Sequence, residues 1–162
     1  MSRAFVKEND SPEALPDTPV SEHPNYVTPR GLEGLRARLD NALRHRAALA
    51  AEPESVEKQS SLAPLDRDIR WLQARVSGAI EVNPAEQPRD HVAFGATVTV
   101  RDDEGERRYR IVGEDEADAE QGSVSYLSPL AHALLGARVG DEVLWKRPAG
   151  DRHIEIVAVN YE

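Results

Sequence analysis

Six apolar residues in the middle of the chain, Leu62, Leu65, Ile69, Leu72, Val76 and Ala79, follow one another at intervals of 3, 4, 3, 4 and 3. This is an a/d seam, a narrow apolar stripe that a lone helix in water cannot bury. It calls for a partner helix, and the chain supplies one just upstream. Thr28 is a good N-cap and Pro29 suits the first helical position. Leu32, Leu35, Leu39 and Leu43 follow at helical spacing, and the stem of Arg46, then Leu49 and Ala50, extend the stripe. Gly34 weakens the first turns slightly. Proline cannot continue a helix interior, so this arm stops near Glu52-Pro53. Ser60 or Ser61 is expected to cap the return helix with Pro64 in its first turn, and Asn83-Pro84 to end it. The economical arrangement is an antiparallel coiled-coil hairpin over residues 27–84, closed near residues 52–60. Each arm of about 20 residues would be about 30 Å long.

Beyond residue 85 the period changes. Thr97 and Thr99 alternate with Val98 and Val100, which predicts a strand over Ala96 to Arg101. Asp102-Asp103-Glu104-Gly105 is a turn, and Arg107 to Val112 returns as a second strand. Ser123 to Leu127 reads as a third. Ser128 caps a short helix with Pro129 at its first position, running to Leu135 and closed by Gly136. Glu142 to Lys146 and His153 to Val159 form a last hairpin across Pro148-Ala149-Gly150-Asp151. Strands packed on one short helix make residues 85–162 an α+β domain. Residues 1–26 differ from both: Pro12, Pro16, Pro19 and Pro24 recur among acids, and only Phe5, Val6 and Leu15 offer apolar anchors. A flexible acidic tail is expected there, either solvated or binding a partner.

Charge narrows the function classes. The net charge of -9 argues against general binding to duplex nucleic acid and gives no sign of sequence-specific DNA binding. The middle segment, with nine bases and eight acids, is the only one of the three without an acidic excess. Cys is absent, so disulfides and thiol chemistry are excluded. No apolar run approaches a signal peptide or a membrane span, so a cytoplasmic protein without a membrane partner is expected. The five histidines are scattered, and neither a metal site nor a catalytic residue is expected.

Phe94-Gly95-Ala96-Thr97-Val98, Ile111-Val112-Gly113, Glu116-Ala117-Asp118, Ser128-Pro129, Ala133-Leu134 and Val139-Gly140-Asp141 occur in that order over about fifty residues. In wording and order they resemble the C-terminal domain of the bacterial Gre (GreA/GreB) transcript-cleavage factors. The resemblance covers residues 26–162, strongly after residue 92 and only in architecture before residue 84. It implies an FKBP-like C-terminal domain behind a coiled-coil hairpin, and RNA polymerase, entered through its secondary channel, as partner. The regulator of nucleoside diphosphate kinase resembles the same domain on a shorter coiled coil and is the alternative. An FKBP-like prolyl isomerase would need an aromatic-lined pocket, and the few aromatics here have no such arrangement.

The resemblance also implies which residues matter. Ser128-Pro129 lies where the family grips the polymerase's channel-rim coiled coil, with Leu127 where many members have an acid and His132 where Arg is usual. Plain helix capping also accounts for Ser128-Pro129. Gre factors carry an acidic pair at the hairpin tip, in a Gly-Asp-Leu-x-Glu-Asn-type motif, that helps hold a second Mg²⁺ in the polymerase. Here the tip reads Ala51-Glu52-Pro53-Glu54-Ser55-Val56-Glu57-Lys58-Gln59-Ser60. Glu52, Glu54 and Glu57 are present but not in that arrangement, and the arms look about two turns, or about 11 Å, shorter than the family's. The chain is expected to have no cofactor of its own and to act beside the polymerase Mg²⁺, with weak or no stimulation of cleavage and an inhibitory effect as an open outcome. Arg36, Arg38, Arg44 and Arg46 on the first arm, with Arg67, Arg70 and Arg75 on the second, stand where the resemblance implies a basic strip near nascent RNA; read as residues alone they balance nearby acids. Trp71 sits one residue off the seam and is expected to pack against the hairpin flank or the other domain, with base stacking the other role open to it.

Overall fold

The computed structural model describes residues 14–161. The chain enters beside the hairpin. Residues 14–24 have no regular structure, yet they descend along one arm: Arg70 donates from Nη2 to the Leu15 carbonyl (3.2 Å) and from Nε to Asp17 (2.5 Å). Leu15 is half-buried beside Leu62 and Ala63. The tail expected over residues 1–26 is therefore partly an ordered strap; Phe5 and Val6 lie outside the described residues.

At the foot of the hairpin Asn25–Val27 forms strand β1, and Thr28 reverses the chain into helix α1, Pro29–Ala50. The Thr28 hydroxyl accepts from the Gly31 N–H, as the Thr-Pro signal predicted. Helix α2 spans Val56–Ser77 and returns beside α1. Each arm has 22 residues, about 33 Å of helix. The hairpin core is Leu32, Leu35 and Leu72 with Val27, flanked by Leu39, Trp71 and Val76. Burial fades toward the tip, where Leu43 is 42 % exposed.

Two expected boundaries are corrected. The turn closes over residues 51–55 rather than 52–60, and Ser55, not Ser60 or Ser61, caps α2 by accepting from the Lys58 N–H (3.0 Å). Pro64 consequently sits inside α2, not in its first turn. An interior proline costs about 3 kcal/mol. The cap at Ser55 and the bonds that Lys58 makes to the turn offset that cost. Nor does α2 run to Asn83-Pro84. It ends at Ser77, and Ala79–Glu81 becomes strand β2, paired in parallel with β1 (Asn25 opposite Ala79). Asn83 instead caps a single 3-10 turn.

The second body is α+β, as expected. Strands β3 (Thr97–Asp102), β4 (Gly105–Val112), β5 (Ser123–Ser125), β6 (Glu142–Trp145) and β7 (Arg152–Asn160) form one sheet in the order β5-β4-β3-β7-β6. All neighbours are antiparallel except β4 and β5. A register shift at Thr99/Val100 bends β3 against β7. Helix α3, Pro129–Leu134, buries Leu130, Ala131 and Leu134 against Val98, Val100, Ile111, Ile154 and Ile156. A fully buried Leu such as Leu134 contributes roughly 1.5–3 kcal/mol. Among the described residues, no helix is long and apolar enough to cross a membrane.

Candidate functional site

The docking candidates fall on one short stretch. The Leu127 N–H donates to Ser125 Oγ (3.1 Å), which turns the chain after β5. Ser128 then starts α3, its hydroxyl accepting from the Ala131 N–H (3.2 Å) and its carbonyl from the His132 N–H (3.0 Å). Pro129 and His132 are exposed, whereas Leu127 and Ser128 are half-buried. Leu130, Ala131 and Leu134 anchor the helix from below, so these four residues form a compact patch on a rigid support. The surface combines a proline ring, an imidazole and an apolar edge without any carboxylate of its own.

The tip is organised by a cation. Lys58 is buried, and its Nζ donates to the carbonyls of Ala50 (3.0 Å) and Glu52 (2.9 Å) and to Glu54 Oε1 (2.8 Å). It thus satisfies carbonyls that the end of α1 would otherwise leave without partners. The other Glu54 oxygen accepts from Gln59 Nε2 (2.9 Å). The Lys58 hydrogen bond, then that of Gln59, hold the Glu54 carboxyl below the usual carboxylate range. This tie is complete at neutral pH and is lost as pH falls through the lowered pKa. Glu52 and Glu57 are exposed and have no cationic partner among the described residues. The three carboxylates therefore do not converge, and among the described residues no cluster of three acids or histidines could hold a metal.

The four candidate arginines of α1, Arg36, Arg38, Arg44 and Arg46, divide into two pairs. The Arg38 guanidinium lies over the Trp71 ring (5.5 Å), and Arg46 Nε donates to Asp66 across the hairpin (2.5 Å). Arg36 and Arg44 are exposed and have no acidic partner among the described residues. The four do not form one strip. Trp71 packs on the hairpin core between Arg38 and Arg75, as expected of a flank residue.

Sequence reasoning missed the joint between the two bodies. Arg75, on the last turn of α2, is 2 % exposed. Its Nε donates to Asp115 Oδ2 (2.7 Å), its Nη2 to Asn25 Oδ1 (2.7 Å), and Glu114 lies 3.7 Å away. Thr28 Oγ1 donates to Glu116 Oε2 (2.6 Å), and the Ser21 hydroxyl to Glu114 (3.0 Å). Tyr126 meets Tyr26 and Phe94 edge to face, and the Tyr26 and Phe94 rings are tilted at 50° to each other, with centroids 5.4–6.0 Å apart throughout. Burial raises the Tyr126 pKa, which keeps the phenol protonated as it donates to the Pro24 carbonyl (2.6 Å). The acids of Gly113-Glu114-Asp115-Glu116 thus fix the angle at which the hairpin leaves the sheet domain. The available signal was an acid-rich turn opposite a cation on the apolar side of α2.

Residues 87–161 match the family model of the transcription elongation factor GreA/GreB C-terminus. The chain is 35% identical to transcription elongation factor GreB of Neisseria meningitidis serogroup B, with 87% of this chain and 96% of that protein covered. It is 32% identical to transcription elongation factor GreA of Thermodesulfovibrio yellowstonii, with 84% and 96% covered. Among solved structures, the elongation factor GreA/GreB from Nitrosomonas europaea is 27% identical, with 84% of this chain and 98% of that chain covered and a TM-score of 0.41.

Proposed function

The chain belongs to the GreA/GreB family of transcription elongation factors, and on that footing we propose that it docks on RNA polymerase at the secondary channel and stimulates transcript cleavage weakly or not at all. As an elongation regulator it acts on the polymerase and carries no catalytic residue of its own. The polymerase partner implies a cytoplasmic protein. The observation that carries the reading is the tip. Mg²⁺ needs oxygen ligands at 2.0–2.1 Å in strict geometry. Of the three tip carboxylates, Glu54 is engaged by Lys58 and Gln59, while Glu52 and Glu57 stand apart. A cation fixed 2.8 Å from Glu54 also opposes a second cation there. A channel occupant with such a tip obstructs the active centre more readily than it assists it. Of the four candidate arginines of α1, Arg36 and Arg44 are the ones left to face RNA.

Two measurements test this. Backtracked elongation complexes given the protein should cleave their transcripts at a rate within about threefold of the unassisted rate, and a Glu52→Ala, Glu54→Ala, Glu57→Ala variant should behave the same, since removing no metal ligand leaves the barrier unchanged. Robust cleavage that the triple variant loses would overturn the reading. For docking, a Ser128→Arg, Pro129→Ala variant should lose at least tenfold in polymerase affinity, about 1.4 kcal/mol, and should no longer compete with a cleavage-active Gre factor. Wild-type pull-down by that variant would place the contact elsewhere.

A further inference from the structure

In a chain with net charge -9, an arginine without an acidic partner is informative. Arg30, Arg89 and Arg110 have no carboxylate partner among the described residues. They come from three separate places: the first turn of α1, the loop before β3, and β4. Yet all three line one notch of about 350 Å³ at the foot of the hairpin. No carboxylate lines it; Glu116 and Asp118 belong to an adjoining hollow that shares only Arg30 and Arg110 with it. The Arg110 Nε is buried and makes no hydrogen bond among the described residues. Such an orphaned donor is costly unless something accepts from it. The first turn of α1 carries no acid of its own, but the Glu116 carboxylate already sits on its Thr28 cap, so the notch draws its positive charge from the three guanidinium groups.

The remaining walls are apolar apart from Asn83, whose Oδ1 accepts from the Ala85 N–H (3.0 Å). Pro29, Pro84 and Ala85 supply flat surface beside Tyr161. The Tyr161 hydroxyl donates to the His91 carbonyl (2.8 Å) and accepts from the Ala93 N–H (2.9 Å), which pins the ring in place. Guanidinium forks match phosphate oxygens, and a pinned ring with proline faces suits a planar organic group. A volume of this order accommodates a small ligand.

We propose that this notch binds a nucleotide phosphate, with the phosphate oxygens accepting from Arg30, Arg89 and Arg110 and the nucleoside lying against Pro84 and Tyr161. The nucleotide comes either free in solution or as one unit of a single-stranded RNA. Calorimetric titration of the full chain at constant ionic strength, with ATP, pyrophosphate and a short single-stranded RNA as separate probes, tests it. ATP or the RNA should bind with Kd below ~1 mM and at least about tenfold more tightly than pyrophosphate, and the tighter of the two identifies the source. An Arg30→Gln, Arg110→Gln variant should lose at least about tenfold in affinity with an unchanged melting curve. Arg89→Gln, away from the sheet, provides the same readout should the double variant fail to fold. The site is wrong if neither ATP nor the RNA gives heat, if pyrophosphate binds as well as both, or if a folded variant binds like the wild type.

Discussion

Replacing Arg75 with Ala is expected to lower stability by about 3–5 kcal/mol, because it leaves one side of a buried ion pair without its partner. At this chain length the melting temperature should fall on the order of 10 °C. The Arg75 side chain is 3 % exposed and that of Asp115 14 %, so water cannot replace the lost contact. Asn25 loses the donor to its amide oxygen while its Nδ2 still donates to the carbonyl of residue 75 (2.8 Å). Lys at this position should rescue little, since an ammonium cannot serve Asp115 and Asn25 in one planar fork. Chemical denaturation of Arg75→Ala, Asp115→Asn and the double variant checks this. The double loss should be clearly smaller than the sum of the singles. A single variant melting within about 2 °C of wild type would remove Arg75 from the joint.

The second large effect comes from a glycine. A Cβ on Gly113 would lie 2.2 Å from the Tyr26 carbonyl oxygen, and that atom belongs to the backbone of β1. Gly113→Ala must therefore push β1 away from the end of β4. The expected loss is about 2–3 kcal/mol, at the upper end for overpacking, because no side-chain rotation relieves the clash. Gly34→Ala should do the reverse. Nothing lies within 4 Å of its added Cβ, and the site is an exposed helix interior. A gain of about 0.8–1 kcal/mol is expected there. Thermal denaturation of the two variants should thus shift in opposite directions, and a shared direction would contradict the close approach.

Much of this was legible because it is local. Thr28-Pro29 and Ser128-Pro129 announce helix starts through caps that reach three residues. The alternation of Thr97 to Val100 announces a strand. The turn of the hairpin was misplaced because Pro64 weighs heavily against a helix interior, while Ser55 and Lys58 outweigh it only through a tertiary arrangement at the tip. Strands β1 and β2 have three residues each, too few for any period to emerge. The arginine pairs could have been separated beforehand. At about 100° per residue, Arg36 and Arg38 face nearly opposite ways, and Arg44 and Arg46 repeat the split. The Arg75 joint could not have been found that way, since its partners lie 40 and 50 positions away in sequence.

The parallel pairing of β1 with β2 has a practical consequence. Parallel neighbours mean that the chain comes down to the foot of the hairpin before it turns upward into α1. Residues 14–17 consequently lie well up the arm, beside Leu62 and Arg70. A label attached at residue 14 or 15 therefore reports on the hairpin arm. A label at Asn160, the end of β7, reports on the sheet body instead.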